Sequence, residues 1–315
     1  TYRYGLLFEL SKKYKIPCIC PVNLNSLSMS KFTSNIHYNN HCYSIEENYI
    51  NEIKDKKQAL KKINNYFNKR YIGEIEQHDV LKAFKNKTKI SKDEFLKKYN
   101  LRSDKKIVVV MAHIFCDAPH GYPNTIFNDY FEWLEFTIIQ LKNNKNISLL
   151  FKEHPSATLY NENNILSNIL DKHGIKERLI DKNENTFSII SHAHIVITCG
   201  GTIGLEFSCK GKPVILAASP PYSGLGFTID SQNKKSYKTS LQNCHNLKKL
   251  NESQIKKALL TAYLTYCKID KSIKNIEIGS ETVLLGRKYD EDLLFNEIEE
   301  FEKLKIEKQK LFKLL

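Results

Sequence analysis

Residues 194–228, HIVITCGGTIGLEFSCKGKPVILAASPPYSGLGFT, leave few folds open. Ile195 to Thr198 is a short β-branched run, the composition of a strand buried on both faces. Cys199-Gly200-Gly201-Thr202 breaks it, and Ile203 to Lys210 reads as a short helix stopped by Gly211. Pro213 to Ala218 reads as the next buried strand. A strand, a glycine turn and a helix N-terminus bring free amide N–H groups and the positive end of a helix dipole to one point, which suits a phosphate. Glycine permits that approach because a Cβ would stand between backbone and anion. Glu206 lies one helical turn beyond Thr202, so both side chains share a face. The pattern predicts a Thr202 hydroxyl on a phosphate oxygen and a Glu206 carboxylate accepting from sugar hydroxyls. A plain βαβ turn with an ordinary helical Glu fits the same residues.

The rest of the chain repeats the alternation. Strands are predicted at Ile107 to Ala112 and Ile147 to Phe151, with a strand remnant at Leu179-Ile180. Helices are predicted at Asp129 to Lys142, Ile165 to Lys172 and Thr186 to His192. Strands alternating with helices of this length specify an α/β fold, a parallel sheet covered on both faces. Upstream, Tyr4 to Tyr14 has helical spacing and Ile16 to Val22 reads as a strand, which predicts an earlier strand before Thr1. Residues 24–45 are polar and turn-rich, Glu46 to Arg70 and Gln77 to Lys85 read as helices, and Lys92 to Tyr99 as a short one. Residues 86–104 are lysine-rich and predict a linker. The expected organisation is an N-terminal domain over 1–102, a second domain over 103–275 and a helical tail over 276–315. The stripe Leu294, Ile298, Phe301, Leu304 and Leu311 predicts a tail helix docked on the first domain, with a membrane-surface helix as the alternative.

Ligands of a parallel sheet bind outside the carboxyl ends of its strands. That rule selects three loops. After Ala112, residues 113–122 hold Asp117 between His113 and His120; after Phe151 come Lys152-Glu153-His154-Pro155; the third is the Gly200-Gly201-Thr202 turn. Together they would supply an anion-binding helix end, a His and a Lys for phosphate, and Asp117 as a general base, with His113 or His120 next in line. Arg70, beside the Tyr71-Ile72-Gly73 helix stop, is a weak candidate for an anion or acceptor contact.

Composition narrows the partners. No run of about 18 apolar residues is present to span a membrane. The eight cysteines include no CxxC pair, so thiols held reduced in the cytoplasm are expected and a zinc site is not. The net charge of +13 follows mainly from a Lys-rich composition. No basic stretch is interleaved with aromatics, so nucleic acid is not an expected partner.

The order KEHPS, then GGTIGLE, GKPVILA and PYSGLGFT, resembles the capsule polysaccharide synthesis family, which includes Kdo transferases. The resemblance covers residues 103–240 most clearly. It implies a GT-B-like fold, two Rossmann-type domains facing a crevice, the N-terminal one incomplete at its start. It implies that His154 and Pro155 meet the donor phosphate, that Gly201 and Thr202 bind the same group, that Glu206 holds the ribose, and that Asp117 is the base. The implied activity is transfer of a Kdo-like sugar from a CMP-linked donor to a glycan or glycolipid acceptor, without metal or other cofactor. The implied place is the cytoplasm, with peripheral contact at the inner membrane as an added expectation. Polyol-phosphate transferases of the teichoic-acid type and UDP-sugar 2-epimerases share parts of the pattern. A non-catalytic nucleotide- or glycan-binding scaffold is the alternative of a different class.

Overall fold

The computed structural model describes residues 10, 13–16, 18–21, 29–32, 45–75, 78–117 and 125–267. The chain divides into two compact units, residues 1–42 with 268–315, and residues 43–267. In the first, β1 (Cys18–Pro21) pairs antiparallel with β2 (Met29–Phe32). The strand expected from Ile16 to Val22 is therefore half of an antiparallel ribbon, and part of the turn-rich stretch 24–45 supplies its partner. The tail helix expected over 292–315 lies outside the described residues.

The second unit begins with α1 (Glu47–Asn51), α2 (Lys56–Arg70), α3 (His78–Phe84) and α4 (Lys92–Lys98). The long helix expected from Glu46 is split because Asp55 starts a new one, its side chain accepting from the Gln58 N–H. Then follow β3 (Lys106–Met111), α5 (Tyr130–Leu141), β4 (Ile147–Lys152), α6 (Ile165–Lys172) and α7 (Thr186–His192). The opening motif gives β5 (Ile195–Thr198), α8 (Ile203–Cys209) and β6 (Val214–Leu216). Last come β7 (Ile229–Asp230), α9 (Lys234–Gln242) and α10 (Glu252–Tyr266).

The five strands are parallel in the order β4-β3-β5-β6-β7, and Leu179 bridges Phe151 on the outer side of β4. Side chains alternate across the sheet. Ile107, Val109, Met111, Val196 and Val214 join a core with Phe67, Phe95, Ile189, Phe207 and Ala262, from α2, α4, α7, α8 and α10. Val108, Val110, Phe151, Ile195 and Ile215 face Trp133, Leu134, Leu166 and Tyr237 on α5, α6 and α9. Both faces are thus covered, as a parallel sheet requires.

Residues 43–102 belong to this unit, so neither expected boundary, at 102 or at 275, coincides with the structural divisions at 42 and 267. The lysine-rich linker is also corrected. Phe95 is fully buried, the Ile90 N–H donates to Ser188 Oγ at 3.1 Å, and His192 Nε2 meets the Ile90 carbonyl at 2.8 Å. Lysines dominate the composition of 86–104 because they line its outer side, while a few apolar residues fasten it to α7.

Strand order fixes where a ligand can enter. The chain runs outward from β3 to β4 and the Leu179 bridge, then returns to the other side of β3 as β5. The order therefore reverses between β3 and β5, and the loops leaving their carboxyl ends flank the crevice of such a sheet.

Candidate active site at the strand-order switch

His113, two residues past β3, is bonded into the glycine turn after β5. Its Nε2 accepts the Gly200 N–H at 3.2 Å and lies 3.2 Å from Thr198 Oγ1, which itself accepts the Gly201 N–H at 3.3 Å. The ring stacks on Tyr130, centroids 4.4 Å apart, and meets the edge of Trp133. Burial, helped by the neighbouring His154, pushes its pKa down to about 3. A neutral imidazole whose Nε2 already receives an amide proton is a strut for the turn. His113 is not positioned as a base, and the Gly200 and Gly201 amides point at protein acceptors where the sequence suggested open phosphate ligands.

The same turn is braced from the other side, where the Tyr222 hydroxyl donates to the Gly201 carbonyl at 2.5 Å. Gly204 makes that contact feasible, since a Cβ there would run into the Tyr222 hydroxyl. Thr202, the residue before α8, is exposed, and its side chain makes no capping bond.

The loop after β4 comes to the same place. His154 Nδ1 accepts the Ser156 N–H at 3.1 Å, so the neutral ring carries its proton on Nε2. Pro155 is half-buried beside it. Lys152, by contrast, is turned inward: it is 3% exposed and donates to the Asp181 carbonyl at 2.7 Å. Burial, with nearby Lys87 as the second cause, lowers its pKa to about 7. It is not placed as a phosphate contact beside His154.

Asp117 is exposed at the end of the described part of the β3 loop, and His120 lies outside the described residues. What holds the backbone beside Asp117 in place is Glu162, a residue that no motif in the sequence singles out. This buried carboxylate accepts the Phe115 N–H at 2.8 Å and the Cys116 N–H at 2.7 Å, one on each oxygen. Glu162→Ala strands both amides, and removal of a partner from charge-assisted bonds of this kind costs about 1.5–3 kcal/mol. Faster hydrogen exchange at Phe115 and Cys116, with β3 to β5 still protected, is the expected reading.

Arg70 and Glu206 occupy neither expected role. They form a buried ion pair, with Arg70 Nε and Nη2 both donating to Glu206 Oε1 at 3.1 and 2.8 Å. Glu206 is 1% exposed and its Oε2 has no hydrogen-bond partner. The facing Glu206 drives the Arg70 pKa further up against the opposing effect of burial. The pair joins α2 to α8 beneath the turn, so Glu206 is not on the rim where a ribose would lie. Among the described residues no three His, Cys, Asp or Glu side chains are grouped to hold a metal ion.

The family model for capsule polysaccharide biosynthesis proteins matches residues 24–268. The chain belongs to this family. No curated protein sequence matches this capsule biosynthesis chain. Among solved structures it is similar to Thermosulfurimonas dismutans KpsC, a beta Kdo 2,4 transferase, at 12% identity over 78% of this chain and 63% of that one, TM-score 0.43. It is similar to the wall teichoic acid polymerase TagF at 15% identity, over 67% of this chain and 47% of that one, TM-score 0.35. A UDP co-structure of S. aureus MnaA matches at 16% identity, over 59% and 48% of the two chains, TM-score 0.34. The capsule biosynthesis chain therefore spans less than two thirds of the length of these structures. No helix among its described residues is long and apolar enough to cross a membrane.

Proposed function

We propose that this capsule biosynthesis protein is a GT-B-type glycosyltransferase whose second unit binds the activated donor at the switch between β3 and β5. The observation that carries this reading is the meeting of three strand-end loops there. His113 ties the first to the glycine turn of the third, and His154 of the second lies close enough to lower the His113 pKa. His154 and the exposed Thr202 hydroxyl meet the donor phosphate, and Asp117 takes the proton of the acceptor hydroxyl. The His113 and Tyr222 braces hold the turn rigid, so its geometry is set before the donor arrives. The donor is a CMP-linked Kdo-like sugar by family likeness, and the acceptor a glycan or glycolipid.

The test offers CMP-Kdo, CDP-glycerol and UDP-N-acetylglucosamine to the full chain with an oligosaccharide acceptor, and follows the products by mass. Sugar transfer from CMP-Kdo supports the reading. Polyol-phosphate transfer, epimerisation without transfer, or nucleotide binding with no turnover replaces it with one of the three alternatives. Among the described residues no Asp-x-Asp pair stands at a strand end to hold Mg²⁺ on the donor phosphate. Turnover is accordingly expected to survive EDTA, and loss on chelation with recovery on adding Mg²⁺ or Mn²⁺ would contradict this.

A further inference from the structure

Along the same rim, past β4, lies a cleft of about 440 Å³ between residues 85–90 and the loop 181–184. Lys85, Lys87 and Lys98 line it with Asn86, Thr88 and Asn183. One carboxylate reaches its wall, Glu184, and that group is 2% exposed and already engaged by Lys98 Nζ at 2.9 Å and the Tyr99 hydroxyl at 3.0 Å. Asp181 is engaged too, by Lys98 at 3.4 Å and by the Asn183 N–H. Glu184 thus faces inward, Asp181 is exposed, and both are paired with Lys98, while Lys85 and Lys87 line the cleft without an ion pair among the described residues.

Among the described residues, Lys87 on the cleft and Lys152 behind it form no ion pair, although Asp181 and Glu184 lie near enough to favour their charge. Lys87 Nζ donates to the Lys182 carbonyl at 2.7 Å, as Lys152 Nζ does to the Asp181 carbonyl just behind. A carbonyl satisfies an N–H but neutralises no charge. Burial lowers the pKa of both, and Lys87 is itself the second cause of the shift at Lys152. Lys85 and Lys87 at an open cleft, with the nearby carboxylates already held by Lys98, make a place where an anion is favoured. The mixture of lysines with side-chain amides and a hydroxyl adds groups that bond to sugar hydroxyls as well as to charge.

The position narrows the ligand. Asp181 to Glu184 follow Leu179-Ile180, the strand remnant beside β4, so the cleft opens at the carboxyl ends of the strands. At about 4.8 Å between strands, it stands roughly 10–12 Å along the rim from the switch. A phosphate group at the switch does not itself reach across that interval, whereas a chain of sugars bearing acidic groups is long enough to span it.

We propose that the cleft between 85–90 and 181–184 is a subsite for a carboxylate or phosphate group on an anionic glycan chain, the acceptor of the reaction. The proposal takes its substrate class from the sugar-transfer reading, but its test needs neither donor nor turnover. Binding of hexagalacturonate to the full chain is measured by calorimetry at low and at moderate salt, with neutral maltohexaose as control. The parent binds hexagalacturonate, more weakly as salt rises, and does not bind maltohexaose. Lys85→Glu, which alters an exposed side chain, and Lys87→Gln each weaken binding roughly fivefold or more, the scale of a lost charge contact in a half-open site. Lys248→Glu, on an exposed lysine outside the cleft, leaves it unchanged.

Equal affinity in parent and both cleft variants overturns the proposal, as does equal binding of the neutral sugar. Two further results also overturn it. One is capture of phosphatidylglycerol vesicles, lost in the cleft variants, with no binding of hexagalacturonate, which assigns the lysines to a lipid surface. The other is binding of inorganic phosphate without hexagalacturonate, which leaves a simple anion site. If hexagalacturonate binds as described while CMP-Kdo is not turned over, the subsite stands and the donor assignment falls.

Discussion

Glu206→Ala is expected to destabilise the second unit by about 3–5 kcal/mol, because it removes one member of the buried Arg70–Glu206 ion pair. For a unit of this size that corresponds to a fall in melting temperature on the order of 10 °C. Arg70→Ala should cost a similar amount for the mirror reason. A buried pair is not itself a large source of stability, since the desolvation of both ions offsets most of their attraction. The double replacement Arg70→Met with Glu206→Leu should therefore be much less damaging than either single change. Urea or thermal unfolding of the parent, the two single variants and the double variant compares these costs. If Glu206→Ala unfolds at the parent temperature and only weakens nucleotide binding, the carboxylate belongs to the ribose and the buried pairing is wrong. Glu206 Oε2, the Tyr71 hydroxyl and the Tyr266 hydroxyl are all buried without a partner around this pair, so the cluster has polar capacity left over.

Asp117→Asn carries the second large effect. The amide keeps the size of the carboxylate but cannot take a proton, and loss of a general base costs about 10²–10⁴-fold in turnover. The substitution lies on an exposed side chain, and the loop below it is held by Glu162 acting on the Phe115 and Cys116 amides, so folding and nucleotide binding should change little. His113 cannot replace it, with its pKa near 3 and Nε2 bonded to the turn. Transfer at the parent rate by Asp117→Asn would move the base elsewhere, with His120 the next candidate. Loss of nucleotide binding instead would place this loop at the donor.

The sheet was readable because its strands are continuous apolar runs with β-branched residues, and the helices between them have one clear period. Ile195 to Thr198 and Thr186 to His192 form over the residues their patterns predict. The pairing of β1 with β2 was not readable, since Met29 to Phe32 lacks any apolar run and depends on its partner. The site was legible as a set of loops but not as a set of contacts. Gly200 and Gly201 are where the motif puts them, yet their amides are taken by His113 and Thr198; the Thr198 contact is local, but the His113 contact crosses 87 residues and leaves no local trace. Glu206 and Arg70 each stood out in sequence, and only the fold reveals that they bind each other across 136 positions. One signal did exist: α8, IGLEFSC, is apolar on every side of Glu206, and a charge in such a helix requires a partner. Lys152 likewise continues the apolar run of β4, a hint that it is buried with the strand.

The claim that the donor binds at the switch between β3 and β5 is tested most directly by nucleotide-dependent melting of the parent and of His154→Ala. With CMP at about 100 times its dissociation constant, the parent should gain about 2.7 kcal/mol of stability. His154→Ala, melting near the parent without nucleotide, should bind CMP about ten- to a hundredfold more weakly, as loss of a hydrogen bond to a charged group predicts. Stabilisation of His154→Ala by CMP along the same concentration curve as the parent would contradict the site.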